Sequence, residues 1–283
     1  MKRGLASALD VAGLSRVAYR MQVARAMPFI RALNYHDVSP ASAPAFEAQL
    51  QWYAERFVPV GRAELEALAA GRWSASRPGL LISFDDGLYT HASVAAPLLE
   101  KYGWPGWFFV PPALTLVPPL EQRAAAQRAT IRVSTAAADG RVFMSSDDMR
   151  ALDVRHVIGA HTATHVRLAA GLSPEMLEQE VRGAKRMLEA ELGHEVDSFC
   201  WVGGEEDSYS SMAAEMIRRA GYRWSFMTNN APIRPAGDGR QLQRTNVEAS
   251  YPLSLVRFQL SGLMDILYTP KRRRVNRLTR TPH

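Results

Sequence analysis

The chain has 283 residues, 47% apolar and 22% charged, the balance of a globular protein with one large domain or two small ones. Its single cysteine, Cys200, excludes an internal disulfide and any cysteine-based zinc site, and no run reaches the roughly 18 apolar residues of a membrane span. The net charge of +6 sits at the ends: without residues 1–31 and the bases after Asp265, 22 basic and 27 acidic residues remain, so the body is not expected to bind nucleic acid.

In chain order, residues 5–27 read as a basic amphipathic helix. Leu14, Val17, Ala18, Met21 and Ala24 keep helical spacing, with Arg16, Arg20 and Arg25 off that stripe. Such a helix packs on a domain or, together with the polybasic "PKRRRVNRLTR" near the C-terminus, rests on an anionic membrane surface. Asp10, Arg16 and Arg20 interrupt any signal-peptide apolar region. The expected location is therefore the cytoplasm, with a peripheral position at the inner face of the membrane through the basic termini.

After Pro28, seven strand-like runs follow: "FIRALNY", "GLLISF", "GWFFVPP", "HVIGAHT", "SFCWV", "RWSFMT" and "QLQRTNV". Helical segments separate them, among them "AFEAQLQWYAERF", "THASVAAPLLEKYG" and "SPEMLEQEVRGAKRMLEAELG", the last capped by Ser173 with Pro174 in its first turn. Residues 111–142, rich in Pro, Ala and Arg, read as an irregular insertion or lid. Strand–helix alternation predicts an α/β fold with a parallel sheet, with enough units for a barrel of about seven strands. The expected division is an N-terminal helix over 1–28, a barrel over 29–250, and a C-terminal segment with a polybasic tail over 251–283.

Two short stretches carry chemistry. "LISFDDGLYTH" sets Asp85 and Asp86 side by side at a strand exit, where like charges repel; an exposed Asp-Gly turn would account for it alone. "GAHTATH" sets His161 and His165 four apart at another strand exit, a weak signal by itself. Strand exits, however, are where α/β folds carry their active-site loops. Combined, one Asp and two His make a three-donor set that leaves a metal position open to water. The cation relieves the carboxylate repulsion, and the second Asp is left to act as a base. The same donors occur in non-haem iron oxygenases, ranked last because their first His and carboxylate commonly stand close together in sequence.

"SFDDG" and "HTATH", in that order and separation, resemble the first two motifs of the polysaccharide deacetylases, carbohydrate esterase family four. "APLLEKYGWPGWFFV" and "SSDDMRALDVRHVIGAHTATH" resemble the segments around them, and the resemblance spans roughly residues 29–250. It implies a distorted (β/α) barrel that hydrolyses N-acetyl groups on amino sugars with one divalent metal ion. Zinc is the first choice, with cobalt, nickel or iron also suited to the donors. By position, Asp85 would be the catalytic base, and Asp86, His161 and His165 the metal ligands.

Two features depart from the family pattern. No late histidine stands where the general acid usually lies, but "LNYHDVSP" places His36 at the exit of the first strand. That resembles the branch with rearranged motif order, in which an early "YH" supplies the acid. Amide hydrolysis needs a proton donor for the departing amine, and a histidine can donate near neutral pH; a buried structural histidine is the plain alternative. The third motif, Arg-x-Pro-Tyr or Tyr-Pro-Tyr-Gly in the family, reads "FCWVGGEEDSY" here, with Cys200 in the arginine's place. A backbone N–H of Trp201, Val202 or Gly203 can still face an oxyanion. Arg244 is a candidate to orient Asp85, or makes a surface ion pair; Trp201 stacks on a sugar or packs in the core. Glu205, Glu206 and Asp207 suit the start of a helix, and His91 and His156 read as structural. The expected partner is an N-acetylated amino-sugar glycan or its lipid-linked or nucleotide-linked precursor. The alternative is a catalytically silent glycan-binding or scaffold protein on the same barrel.

Overall fold

The computed structural model describes Tyr19 and residues 28–280; the N-terminal helix expected over 5–27 otherwise lies outside the described residues. Short apolar strands separated by amphipathic helices can bury both faces of a parallel sheet only with the helices outside it. The strands are β1 (Ile30–Tyr35), β2 (Val58–Pro59), β3 (Gly79–Phe84), β4 (Gly106–Val110), β5 (Val157–Ala160), β6 (Ser198–Cys200), β7 (Trp224–Met227) and β8 (Leu242–Asn246). All pair in parallel, and β1 pairs with both β8 and β3, closing a ring of seven in the order β1-β8-β7-β6-β5-β4-β3. These seven are the runs legible in the sequence. The two-residue β2, beside the start of β3, is too short to show any periodicity.

Alternation sorts the strand residues between two cores. Ile30, Ala32, Leu81, Trp107, Phe109 and Phe226 fill the barrel. Leu33, Tyr35, Ile82, Phe84 and Phe108 form a second core with the helices, where Phe84 stacks on Phe108 at 5.0 Å; burying each such side chain stabilises by about 1.5–3 kcal/mol. Leu65 and Leu68, from the helix Arg62–Ala69, join the barrel core with Val60. Cap residues stop and start the outer helices: Ser145 and Asp148 form a reciprocal capping box, and Ser173 accepts from the Met176 N–H at 3.2 Å.

Two regions differ from the sequence reading. Residues 111–142 contain the helices Pro112–Thr115 and Pro119–Arg128; their prolines stand in first turns, where no backbone N–H is missed. Leu114, Ala125, Ala126 and Ile131 build a small core with Leu88, Val142 and Phe143. Buried Gln122 staples it, accepting from the N–H groups of Val142 and Phe143 at 2.9 and 3.1 Å.

The polybasic segment, to which the sequence reading assigns no secondary structure, is a docked helix, Leu263–Leu278. Asp265 pairs with buried Arg31 at 2.7 Å, Arg272 donates to the carbonyls of Asn229 and Asn230, and Val275 is buried. Arg273, Arg277 and Arg280 stay exposed. Charge counting does not reveal that half of a basic run can be spent on carbonyls and carboxylates.

Candidate active site

The two aspartates leave β3 in different conformations. Asp85 continues the strand, its N–H donating to the Tyr35 carbonyl at 2.9 Å. Asp86 is left-handed at φ +82° and Gly87 follows at +63°, a strained arrangement for a non-glycine residue that turns the chain at once. Beyond β5, Thr162 and His165 are also left-handed, at φ +56° and +65°. Buried Glu180 holds that loop, accepting from the Thr164 N–H at 3.0 Å and from its hydroxyl at 2.6 Å.

These turns bring three donors together. Asp86 Oδ1 lies 3.1 Å from His165 Nε2 and 3.7 Å from His161 Nε2. Each imidazole is oriented from behind: His161 Nδ1 donates to the Cys200 carbonyl at 3.0 Å, and His165 Nδ1 to the Ala129 carbonyl at 2.8 Å. With Nδ1–H so committed, a neutral ring presents an Nε2 lone pair toward Asp86. Asp86 Oδ1 is accordingly buried with no hydrogen-bond partner among the described residues. Lone pairs face lone pairs, which fits a cation between them; ligand bonds of about 2.0–2.2 Å suit donors this far apart. Burial pulls the His165 pKa down, but Asp86, the Ala129 carbonyl and Asp85 together raise it, so the pocket favours positive charge at this position. Burial, the larger influence on His161, pushes it down to about 4 despite Asp85 beside it, so it is a neutral ligand at pH 7.

A second cluster, Asp85, His161 and Cys200, fits a cation less well. Burial raises the Cys200 pKa well above its ordinary value and keeps it a thiol. Asp85 is already taken: Arg244 Nη1 and Nη2 donate to its Oδ1 and Oδ2 at 2.7 and 2.8 Å. Arg244, fully buried, reaches there from β8 across β1, where the register sets small Ala32 beside it, and also donates to Ser83 Oγ and Cys200 Sγ, at 2.9 and 2.8 Å. Burial opposes charge on Asp85, but Arg244, followed by His161 and His36, holds its carboxyl well below the usual range. Arg244 is thus no surface ion pair.

A cavity of about 630 Å³ opens over these groups, lined by His36, Asp85, Asp86, His161, His165, Val202 and Gly203 among others. His36 is exposed in its wall rather than a buried structural residue. Its backbone is held from beneath by buried His91, whose Nε2 donates to the His36 carbonyl at 2.8 Å. His156 is structural too, accepting from the Gly106 N–H at 3.0 Å. Neither Val202 nor Gly203 N–H has a partner among the described residues.

Of the roles expected for Trp201, the structure shows core packing. Its indole is buried and donates to Ser225 Oγ at 2.8 Å, and its backbone N–H is spent on the Phe226 carbonyl at 3.1 Å. The barrel's own pairing consumes that N–H, leaving neither a sugar platform nor an oxyanion donor.

Sequence reasoning missed several contributors. Asp37 accepts from Thr90 Oγ1 at 2.8 Å and from the Ser134 N–H at 2.7 Å, tying the loop after His36 to the insertion. Ala129 of that insertion orients His165, and Tyr268 and Lys271 reach the cavity from the C-terminal helix. Only Asp37, next to His36 at a strand exit, had a positional signal.

The fold and site define a distorted (β/α) barrel of the deacetylase type, with a candidate Asp–His–His metal centre at its strand exits. The chain belongs to the polysaccharide deacetylase family, whose family model matches residues 74–225, more than half its length. No curated protein matches it. Solved structures that share the fold include three bacterial proteins. The Streptococcus pyogenes deacetylase PplD, in complex with acetate, is 19% identical, with 82% of this chain and 99% of that one covered and a TM-score of 0.63. A de-N-acetylase from Aggregatibacter actinomycetemcomitans is 16% identical, with coverages of 81% and 98% and a TM-score of 0.65. IcaB from Ammonifex degensii is 21% identical, with coverages of 84% and 97% and a TM-score of 0.60.

Proposed function

We propose that the protein is a metal-dependent hydrolase that removes the N-acetyl group from an amino sugar of a glycan or glycan precursor. The observation that carries this reading is the convergence of Asp86, His161 and His165 beside an independently clamped Asp85, with His36 lining the same cavity. Asp86, His161 and His165 would hold the cation, zinc or an ion of similar preference. When bound, a divalent ion there supplies Lewis acidity toward the acetamide carbonyl and an acidified water.

The chain's own groups do the rest. Asp85 Oδ2 keeps a lone pair beyond its single Arg244 bond and takes the water's proton, while Arg244 fixes the carboxylate plane. The free N–H groups of Val202 and Gly203 donate to the developing oxyanion. His36, exposed to the cavity, protonates the leaving nitrogen so that an amine rather than an amide anion departs. This use of an early histidine supports placing the chain in the branch with rearranged motif order.

The test is acetate release from short N-acetylglucosamine oligomers by zinc-loaded protein, compared with Asp85→Asn. Release by wild type alone supports the reading. Binding without release by either protein would favour the glycan-binding scaffold.

We further propose a lipid-linked or nucleotide-linked substrate at the cytoplasmic membrane face, supported by the exposed Arg273, Arg277 and Arg280. No helix among the described residues is long and apolar enough to cross a membrane, so contact would be peripheral. Unchanged co-sedimentation with anionic vesicles after removal of residues 271–283 would refute the part assigned to this segment.

A further inference from the structure

The altered third motif raises a mechanical problem. The family pattern has a proline, which fixes φ, at this place; here Gly203 and Gly204 follow Val202. Glycine loses more freedom on ordering than any other residue. A wall that must present N–H groups at fixed positions therefore needs support from elsewhere.

That support comes from the far end of the chain. Lys271 Nζ donates to the Gly204 carbonyl, and Arg274 grips Glu206 through two bonds, at 2.8 and 2.5 Å. An exposed pair such as Arg274–Glu206 contributes little alone. The helix carrying both bases is itself fixed, however, by Arg31–Asp265, by Arg272 on the Asn229 and Asn230 carbonyls, and by buried Val275. Lys271 thus meets the glycine loop from a rigid support, outside the residues 74–225 that match the family model.

We infer that Lys271 is a positioning residue: by holding the Gly204 carbonyl it fixes the Val202 and Gly203 N–H groups where the substrate's oxyanion forms. The inference rests on the deacetylase reading above. Because Lys271 also lines the cavity, direct contact with substrate is the competing role, and the test must separate the two.

The experiment uses the full-length, zinc-loaded protein with Lys271→Met and Lys271→Arg. Hydrogen exchange of peptides spanning 201–206, read by mass spectrometry, reports the loop whether or not the enzyme turns over. Acetate release from N-acetylglucosamine oligomers reports catalysis. Lys271→Met should speed exchange in this loop alone and lower kcat about tenfold, a fraction of the loss from deleting an oxyanion donor outright. KM, zinc content and melting temperature should stay at wild-type values, and Lys271→Arg should restore both exchange and kcat. Unchanged exchange in Lys271→Met overturns the inference, as does a higher KM with kcat intact, which would make Lys271 a substrate contact. If wild type releases no acetate, the deacetylase reading fails and the catalytic role of Lys271 falls with it, while exchange still decides whether Lys271 holds the loop.

Discussion

Arg244 and Asp85 meet through two parallel hydrogen bonds, 2.7 and 2.8 Å long, with both side chains buried. The guanidinium enters from β8 and the carboxylate directly follows β3, so the pair ties two strands that are not neighbours in the sheet. Each charge compensates the desolvation of the other, and the planar fork leaves the carboxylate one orientation. Arg244→Met should therefore strand a buried carboxylate and cost about 3–5 kcal/mol in denaturant unfolding. Arg244→Lys, which keeps a charge without the fork, should recover part of that stability but little acetate release. Equal stability for Arg244→Met and wild type would show that the pair is no strut.

The neighbouring aspartates should separate by function. Asp86→Ala removes a carboxylate oxygen that the two imidazoles face, and zinc affinity measured by calorimetry should fall by at least tenfold. Asp85→Asn leaves Asp86, His161 and His165 in place, so zinc should still bind while acetate release is lost. Loss of zinc from Asp85→Asn and not from Asp86→Ala would reverse the assignment.

His36 is exposed, and its backbone is held by His91 rather than by its own ring. His36→Gln should leave the melting temperature unchanged and lower kcat/KM by about 10²- to 10⁴-fold, the usual worth of a proton donor. A variant with wild-type turnover would remove His36 from the mechanism.

Gly203 adopts φ +83° and borders Ser208 so closely that an added Cβ would lie 2.7 Å from its hydroxyl oxygen. Gly203→Ala should shift the loop, lowering kcat more than it raises KM, with a loss of about 1–3 kcal/mol from the strained conformation. Gly171, also left-handed at φ +95° but with open space around it, is the control: Gly171→Ala carries the backbone strain without the clash and should spare kcat.

Burial lowers the pKa of His91, with the His36 carbonyl opposing, and lowers His161 to about 4. As pH falls below about 6.5, the unfolded chain takes up protons that these native imidazoles refuse. Their share of stability is thus present at neutral pH and lost on acidification, for His161 down to about pH 4. His91→Gln keeps an N–H for the His36 carbonyl and cannot titrate. Its unfolding free energy, measured from pH 7 to 5, should fall less steeply than that of wild type, and an identical slope would mean that His91 protonates equally in both states.

Much of the site was legible because strand exits and residue spacing are local. Asp85, Asp86, His161 and His165 could be paired from two short motifs, and His36 from its place after an apolar run. Val202 and Gly203, singled out by the position of the third motif, line the cavity. Trp201 was ambiguous because an aromatic residue at a strand exit can face either way, and only the pairing of β6 with β7 consumed its N–H. The helices of 111–142 were hidden by prolines that break a helix interior but suit a first turn.

By itself, then, the sequence determined the alternation of strands and helices, the donor types and the turns that present them, because these depend on neighbours along the chain. Only the tertiary structure decided that Arg244 crosses the barrel to Asp85, that Ala129 orients His165 and that Lys271 braces a glycine loop 67 residues before it. Those contacts join residues far apart in sequence. Their partners are set by ring closure and helix docking, for which no local spacing carries a signal.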